Sequence, residues 1–215
     1  MNVKFTKRIL TGALAVALVL APSVGAFAST NPPKAPTTTQ EAPTTTQEAP
    51  AAPFKDVQTT STVAGVKSEV AGAYLLQKDV AVAITSNAAA IAEGYAFAKG
   101  ETPFAKVFDM DVKKSDKAKA SLDGVALAYG GTNVAYIDME IGKMSNGHYT
   151  LLPNGAGIAA TFSIPKTAVE AGAKYAVVRV VAGGEFTLLE DTDSNPETVS
   201  FVTTGGKAAY SIVKY

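Results

Sequence analysis

Between Val134 and Ile141 every second residue carries a side chain that avoids water, and this alternation limits the fold more than any other feature of the chain. Ala135, Ile137, Met139 and Ile141 fall on one side, and Tyr136, Asp138 and Glu140 on the other. Successive side chains of an extended strand point to opposite faces, so the pattern predicts a strand with one buried face and one wetter face. Short segments of the same kind follow: His148 to Leu152, Gly157 to Ile164, Tyr175 to Ala182, Phe186 to Leu189, Thr198 to Thr203 and Ala208 to Tyr215. Turn-forming residues divide them, among them Ser145-Asn146-Gly147, Pro153-Asn154-Gly155, Gly183-Gly184, Asp193-Ser194-Asn195-Pro196 and Gly205-Gly206. Many short strands with regular turns predict a mainly β fold, with α+β as the alternative, built as an antiparallel sandwich. Tyr175 to Ala182 is apolar on both faces except for Arg179, as expected of a central strand.

Two helices are expected in the first half. Val70 to Leu76 and Val80 to Thr85 read as strands. Ser86 is placed to cap an alanine-rich helix over residues 88–98, with Ile91 and Tyr95 on its apolar stripe and Gly100 closing it. Residues 104–113 alternate, with Phe108, Met110 and Val112 on one side and Asp109, Asp111 and Lys113 on the other. Ser115 or Asp116 then starts a second helix running to about Tyr129. Ala118, Leu122, Val125, Ala126 and Tyr129 recur at helical spacing, and Gly130-Gly131 ends it.

The closing strands resemble the immunoglobulin-like modules of secreted and surface proteins of Gram-positive bacteria. The resemblance rests on Ser163-Ile164-Pro165, Tyr175 to Val180, the Gly183-Gly184 hairpin, Phe186 to Leu189, Thr198-Val199-Ser200-Phe201 and the ending Ala209 to Tyr215. It covers about fifty residues and concerns strand pattern, so it implies an immunoglobulin-like sandwich and assigns no activity. The two helices and the alanine-rich first half depart from a plain seven-strand version.

The N-terminus points to export. Lys4, Lys7 and Arg8 precede an apolar run from Ile9 to Leu20, and Ala26-Phe27-Ala28 supplies small residues where a signal peptidase reads. The run is short of the ~20 residues needed to cross a bilayer. Residues 1–28 are therefore expected to be a cleaved signal peptide, leaving no membrane span. Residues 29–53 contain Ala-Pro-Thr-Thr-Thr-Gln-Glu twice in succession, and no side chain there is large and apolar. Such a stretch cannot offset the entropy of ordering and is expected to be a disordered Pro/Thr-rich tail. Residues 54–215 form the single expected β-rich domain. No Leu-Pro-x-Thr-Gly-type sorting tail closes the chain, so secretion is the expected destination, with cell-wall association the alternative.

Charge and residue inventory narrow the function. The chain has 19 basic and 19 acidic residues, and losing Lys4, Lys7 and Arg8 leaves 16 basic ones. Nucleic-acid binding needs clustered cations, and the densest stretch, Lys113 to Lys119, is interleaved with Asp111, Asp116 and Asp123. Nucleic acid is not an expected partner. The sequence has no cysteine and one histidine, His148. A Ser-His-Asp triad would have to use that histidine, and no Gly-x-Ser-x-Gly elbow accompanies it.

Asp191, Asp193 and Asn195 have the 1-3-5 oxygen spacing that opens a calcium loop, but Pro196 occupies the position where an EF-hand requires glycine. A hairpin turn is the preferred reading of that segment, with calcium as the alternative and no cofactor expected. Asp109/Asp111 and Asp138/Glu140 are i, i+2 carboxylate pairs that could lie beside each other, as a small secreted hydrolase would need. Tyr136, Asp138 and Glu140 together are the candidate ligand-binding set, the alternative function being carbohydrate binding. The leading expectation is a non-catalytic extracellular or cell-surface module that adheres or assembles through contact with an extracellular protein or a cell-wall component.

Overall fold

The computed structural model describes residues 59–76 and 80–215. The expected signal peptide over 1–28 and Pro/Thr-rich tail over 29–53 lie outside the described residues. Within the described part the fold is mainly β with two helices. Among the described residues no helix is long and apolar enough to cross a membrane.

The chain opens with a small hairpin, β1 (Thr62–Val63) and β2 (Val66–Lys67). It continues through β3 (Ala71–Leu75), β4 (Val82–Ile84), α1 (Ala88–Gly94), β5 (Thr102–Asp109) and α2 (Asp116–Ala128). The long β6 (Thr132–Ser145) follows, then β7 (His148–Leu151), β8 (Ile158–Ser163), β9 (Tyr175–Val181), β10 (Phe186–Glu190), β11 (Thr198–Thr203) and β12 (Gly206–Lys214). A seven-stranded sheet runs in the order β10-β9-β12-β6-β5-β3, with β7 also paired to β6, and a three-stranded sheet runs β11-β8-β4.

The antiparallel expectation holds for every pairing in these sheets except one: β3 runs parallel to β5, with Ala71 opposite Phe104 and Leu75 opposite Phe108. A parallel neighbour needs a crossover connection, and the chain supplies one through β4 and α1.

Alternation sorts the large sheet into two faces. On the inner face Ala105, Val107, Ile137, Met139, Ile141, Val177, Tyr210 and Ile212 are buried together with Ile84, Ile158, Phe162 and Phe201 of the smaller sheet. Three aromatic rings meet there edge to face or tilted: Phe162 with Phe201 at 4.7 Å, Phe162 with Tyr210 at 5.9 Å and Phe201 with Tyr210 at 6.3 Å. Thr203 hydrogen-bonds the Tyr210 hydroxyl at 2.8 Å, so the deepest polar atom of this cluster is satisfied. On the outer face a second core joins Leu122, Val125 and Ala126 of α2 to Met110, Val178, Val180, Ala209 and Val213. The domain is thus a two-sheet sandwich with one helix laid on its outer side.

Local details correct several expectations. The first helix is capped by Asn87, whose side chain accepts from the Ala89 N–H at 2.8 Å, while Ser86 turns back to accept from the Ala159 N–H. That helix stops at Gly94, before the expected Ala98. Tyr95 leaves it to donate its hydroxyl to the Ala156 carbonyl at 2.8 Å, which ties the helix end to a distant loop. Strand β5 ends at Asp109; Phe108 lies opposite Asp138 on the outer face, and Met110 packs with α2 outside the core between the sheets. Tyr129 is about half exposed rather than part of the helical stripe. The Asn146-Gly147 turn behaves as read: both residues have positive φ, 49° and 80°, the two-residue form that suits strand twist, and Ser145 pairs with His148 across it.

Candidate functional site

Tyr136, Asp138 and Glu140 do leave β6 on one face, the outer one, because their neighbours Ile137, Met139 and Ile141 fill the inner core. Register then decides what each meets. Tyr136 lies beside α2, where its hydroxyl donates to Asp123 Oδ1 at 2.5 Å. Asn133 Nδ2 donates to that oxygen at 2.8 Å, and Lys119 Nζ contacts Asp123 Oδ2 at 2.5 Å while standing 5.1 Å from the Tyr136 ring centre. Burial pushes the Asp123 carboxyl up, but hydrogen bonds from Lys119, Tyr136 and Asn133 outweigh it and hold the group below its ordinary value. Tyr136 is therefore a strut between helix and sheet, with its hydroxyl and one side of its ring engaged.

One residue pair along, Asp138 stands between Phe108 of β5 and Ala209 of β12. Burial raises its carboxyl above the ordinary value, Glu140 adds to the rise, and Lys207 opposes it. Beyond it Lys106, Glu140 and Lys207 form one row across β5, β6 and β12. Glu140 accepts from Lys207 Nζ at 2.8 Å and faces Lys106 Nζ at 3.9 Å. The hydrogen bond from Glu140 holds the Lys207 ammonium above its ordinary value, against the effect of burial.

The next row contains Phe104, Gly142 and Leu151. A Cβ on Gly142 would stand 2.5 Å from the Tyr149 ring, so the glycine lets that ring lie across the strand. Tyr149 meets Phe104 edge-on at 6.0 Å, and Lys106 Nζ sits 3.8 Å from the Tyr149 ring centre. The Tyr149 hydroxyl is buried, and among the described residues it has no hydrogen-bond partner. Burial, with the nearby Glu140, raises its pKa strongly.

Between the start of α2 and the β9–β10 hairpin the outer face sinks into a groove of about 640 Å³. Ala118, Ser121, Val180 and Ala209 line it with Asp138 and Lys207. Asp138 is thus the residue of the predicted set that borders open space. The desolvation that raises its pKa has a testable sign. Folded protein holds the Asp138 proton more tightly than unfolded protein does, so its contribution to stability falls as pH climbs through the interval above 3.8. Asp138→Asn removes that fall. Denaturant titrations are expected to show the variant gaining on the wild type between about pH 3 and about pH 7, and a constant difference would contradict the reading.

The other sequence candidates separate. Asp109 pairs with Ile137 and so leaves β5 on the opposite parity to Asp138 and Glu140. Asp111 lies beyond the strand, where its carboxylate accepts from the Lys113 and Lys114 N–H groups. The two acidic pairs do not converge. His148 is exposed at the mouth of its hairpin.

Asp191, Asp193 and Asn195 serve as successive turn formers: Asp191 accepts from the Asp193 and Ser200 N–H groups, Asp193 from that of Asn195 and Asn195 from that of Glu197. Asp193 Oδ2 also accepts from the Thr198 hydroxyl at 2.9 Å. Among the described residues no group of three or more His, Cys, Asp or Glu is arranged to hold a metal ion.

Lys106, Lys207 and Tyr149 were not singled out from the sequence. Each sits at an alternating polar position of a strand, but their meeting depends on register between distant segments. No family profile, no curated protein and no solved structure matches this chain.

Proposed function

We propose that the chain is an exported, non-catalytic module that works by surface contact with an extracellular protein or a cell-wall component. The groove along α2 carries this reading. Its floor and one wall are apolar through Val180, Ala209 and Ala118, while Asp138 and Lys207 add one polar group of each sign. Desolvation has taken water from Asp138, and a hydrogen-bond donor on a partner's side chain would restore what burial removed. An apolar trough with a few fixed polar groups suits recognition. The ionisable groups around it are tied down: Glu140 between two lysines, Asp123 among three donors. The signal-like N-terminus and the resemblance of the last strands to immunoglobulin-like surface modules point the same way. The carbohydrate-binding alternative loses its platform, because Tyr136 is engaged by Asp123 and Lys119.

The test uses the full chain immobilised and exposed to envelope and medium fractions of the producing organism. Saturable retention is expected, weakened on the order of tenfold by Ala118→Arg, which fills the groove from a half-buried position on α2 at the margin of the second core. Retention indifferent to Ala118→Arg would refute the groove. Turnover of chromogenic peptide, ester or glycoside substrates would refute the non-catalytic reading.

A further inference from the structure

A second opening lies toward the other side of the large sheet and shares only Val181 and Lys207 with the lining of the groove along α2. Where the β9–β10 hairpin, the β11–β12 turn and the loop after β7 come together, the two sheets part around a cavity of about 570 Å³. Arg179 lines it. It is the one charged residue in a strand otherwise made of Tyr, Ala and Val, and the chain's other arginine is Arg8. Pairing opposite Tyr210 turns its side chain to the inner face. A charge there needs a reason, since desolvating a cation is costly unless it is paired.

The domain gives this cation little in return. Its hydrogen-bonding partners are neutral: Nη2 reaches the Gly205 carbonyl at a long 3.5 Å, the Tyr210 hydroxyl also interacts with the guanidinium, and the buried Nε has no acceptor among the described residues. Among the described residues Lys106, Lys114, Lys119, Lys143, Lys207 and Lys214 are in ion pairs. Arg179 is in none, and among the described residues no carboxylate lies within 4.0 Å of it. Glu185 also lines the cavity but stands exposed in the hairpin turn.

The walls of this cavity mix polar and apolar side chains. Thr187 supplies a hydroxyl, Thr203 one that it shares with Tyr210, Gly205 and Gly206 supply backbone, and Leu189, Val202 and Lys207 also line the cavity. Gly205 is held in place from behind, its N–H donating to the Tyr95 hydroxyl at 2.7 Å. An unpaired planar fork in a partly enclosed pocket with neighbouring hydroxyls is suited to a carboxylate, which guanidinium binds through two parallel N–H···O bonds.

We propose that this cavity is a binding site for a carboxylate-bearing ligand, with Arg179 as its anchor. Two sources share that chemistry, a uronic acid and the free carboxyl end of a peptide, and the probes distinguish them. Amide resonances of Gly205, Gly206 and Thr187 are followed while the full chain is titrated with galacturonic acid, with galactose, with trialanine and with trialanine amide.

Saturable shifts are expected with at least one of the two acids, and its neutral counterpart should bind about tenfold or more weakly. Arg179→Lys keeps the charge but loses the fork and is expected to weaken binding about tenfold. Arg179→Gln should abolish binding. Glu185→Gln should leave it intact, because Glu185 stands exposed in the hairpin turn and does not pair with Arg179. The proposal fails if neither acid saturates up to about 10 mM, the range where a single charged contact still registers. It fails equally if Arg179→Gln binds like the wild type. Should that variant unfold, the wild-type titration of acid against neutral counterpart decides by itself.

Discussion

Phe162→Ala is expected to lower the stability of the domain by about 3–5 kcal/mol. Phe162 is fully buried in β8, the central strand of the smaller sheet, between Val82 and Val199. Its ring stands edge-on to both Phe201 and Tyr210, at 86° and 74°. The substitution removes apolar surface from the core between the sheets. It also leaves a cavity that two other aromatics line and cannot collapse into without leaving their own contacts. For a domain of this size the loss corresponds to a drop in thermal midpoint of roughly 6–20 °C. Val202→Ala on the neighbouring β11 is the control: Val202 is 54% exposed, so its replacement should stay within about 0.5 kcal/mol of wild type. A Phe162→Ala loss below about 1.5 kcal/mol would mean that the two sheets do not pack as described.

Gly72→Ala should also be damaging, though less so and by a different route. Gly72 lies in β3 opposite Ala105 of β5, in the single parallel pairing of the large sheet. A Cβ there would stand 2.3 Å from the Ala105 carbonyl oxygen and 3.0 Å from both its carbon and the Tyr74 ring. The first two contacts are backbone, so no side-chain rotation relieves them and β3 has to move away from β5. The movement strains a hub built on Ser68, whose hydroxyl hydrogen-bonds the Tyr74 hydroxyl at 2.7 Å and accepts from the Ile84 N–H at 3.2 Å.

A loss of about 1–3 kcal/mol is expected. Hydrogen exchange should accelerate in β3 and β4 ahead of β9 and β12. Exchange that rises evenly over the domain, or no loss at all, would contradict the close approach. The two variants test different things, since Phe162 probes side-chain packing between sheets and Gly72 probes backbone spacing within one.

The two largest expected effects also mark where the sequence was readable. Phe162 was legible as core because Ile158, Ala160, Phe162 and Ile164 alternate along an expected strand bounded by turn signals. Gly72 gave no such signal: a glycine near the start of an expected strand says nothing about which strand lies beside it. The same contrast runs through the outer face. That Tyr136, Asp138 and Glu140 share a side followed from spacing alone and holds. That Tyr136 would be tied to Asp123 did not follow, because the bond joins a strand to a helix whose placement depends on Leu122, Val125 and Ala126 finding the apolar half of that face. Spacing alone allows the acidic pair Asp109/Asp111 to lie beside Asp138/Glu140. One step of register separates Asp109 from their face, since side-chain direction reverses at every residue.

Arg179 combines both kinds of information. Its oddity, a lone charge in an apolar strand, is visible in the sequence, whereas its want of a carboxylate partner is a property of three-dimensional neighbours.

By itself the sequence determined the local features: which segments extend, which two coil, where the chain turns and which side chains share a face. These follow from steric and solvent preferences repeating over two or roughly four residues, and such preferences act within a short window of chain. Only the tertiary structure decided the parallel direction of β3, the face that α2 covers, the lysine row around Glu140 and the opening beside Arg179. Each of those depends on pairing between residues tens of positions apart, which is chosen by how the whole apolar surface can be buried at once.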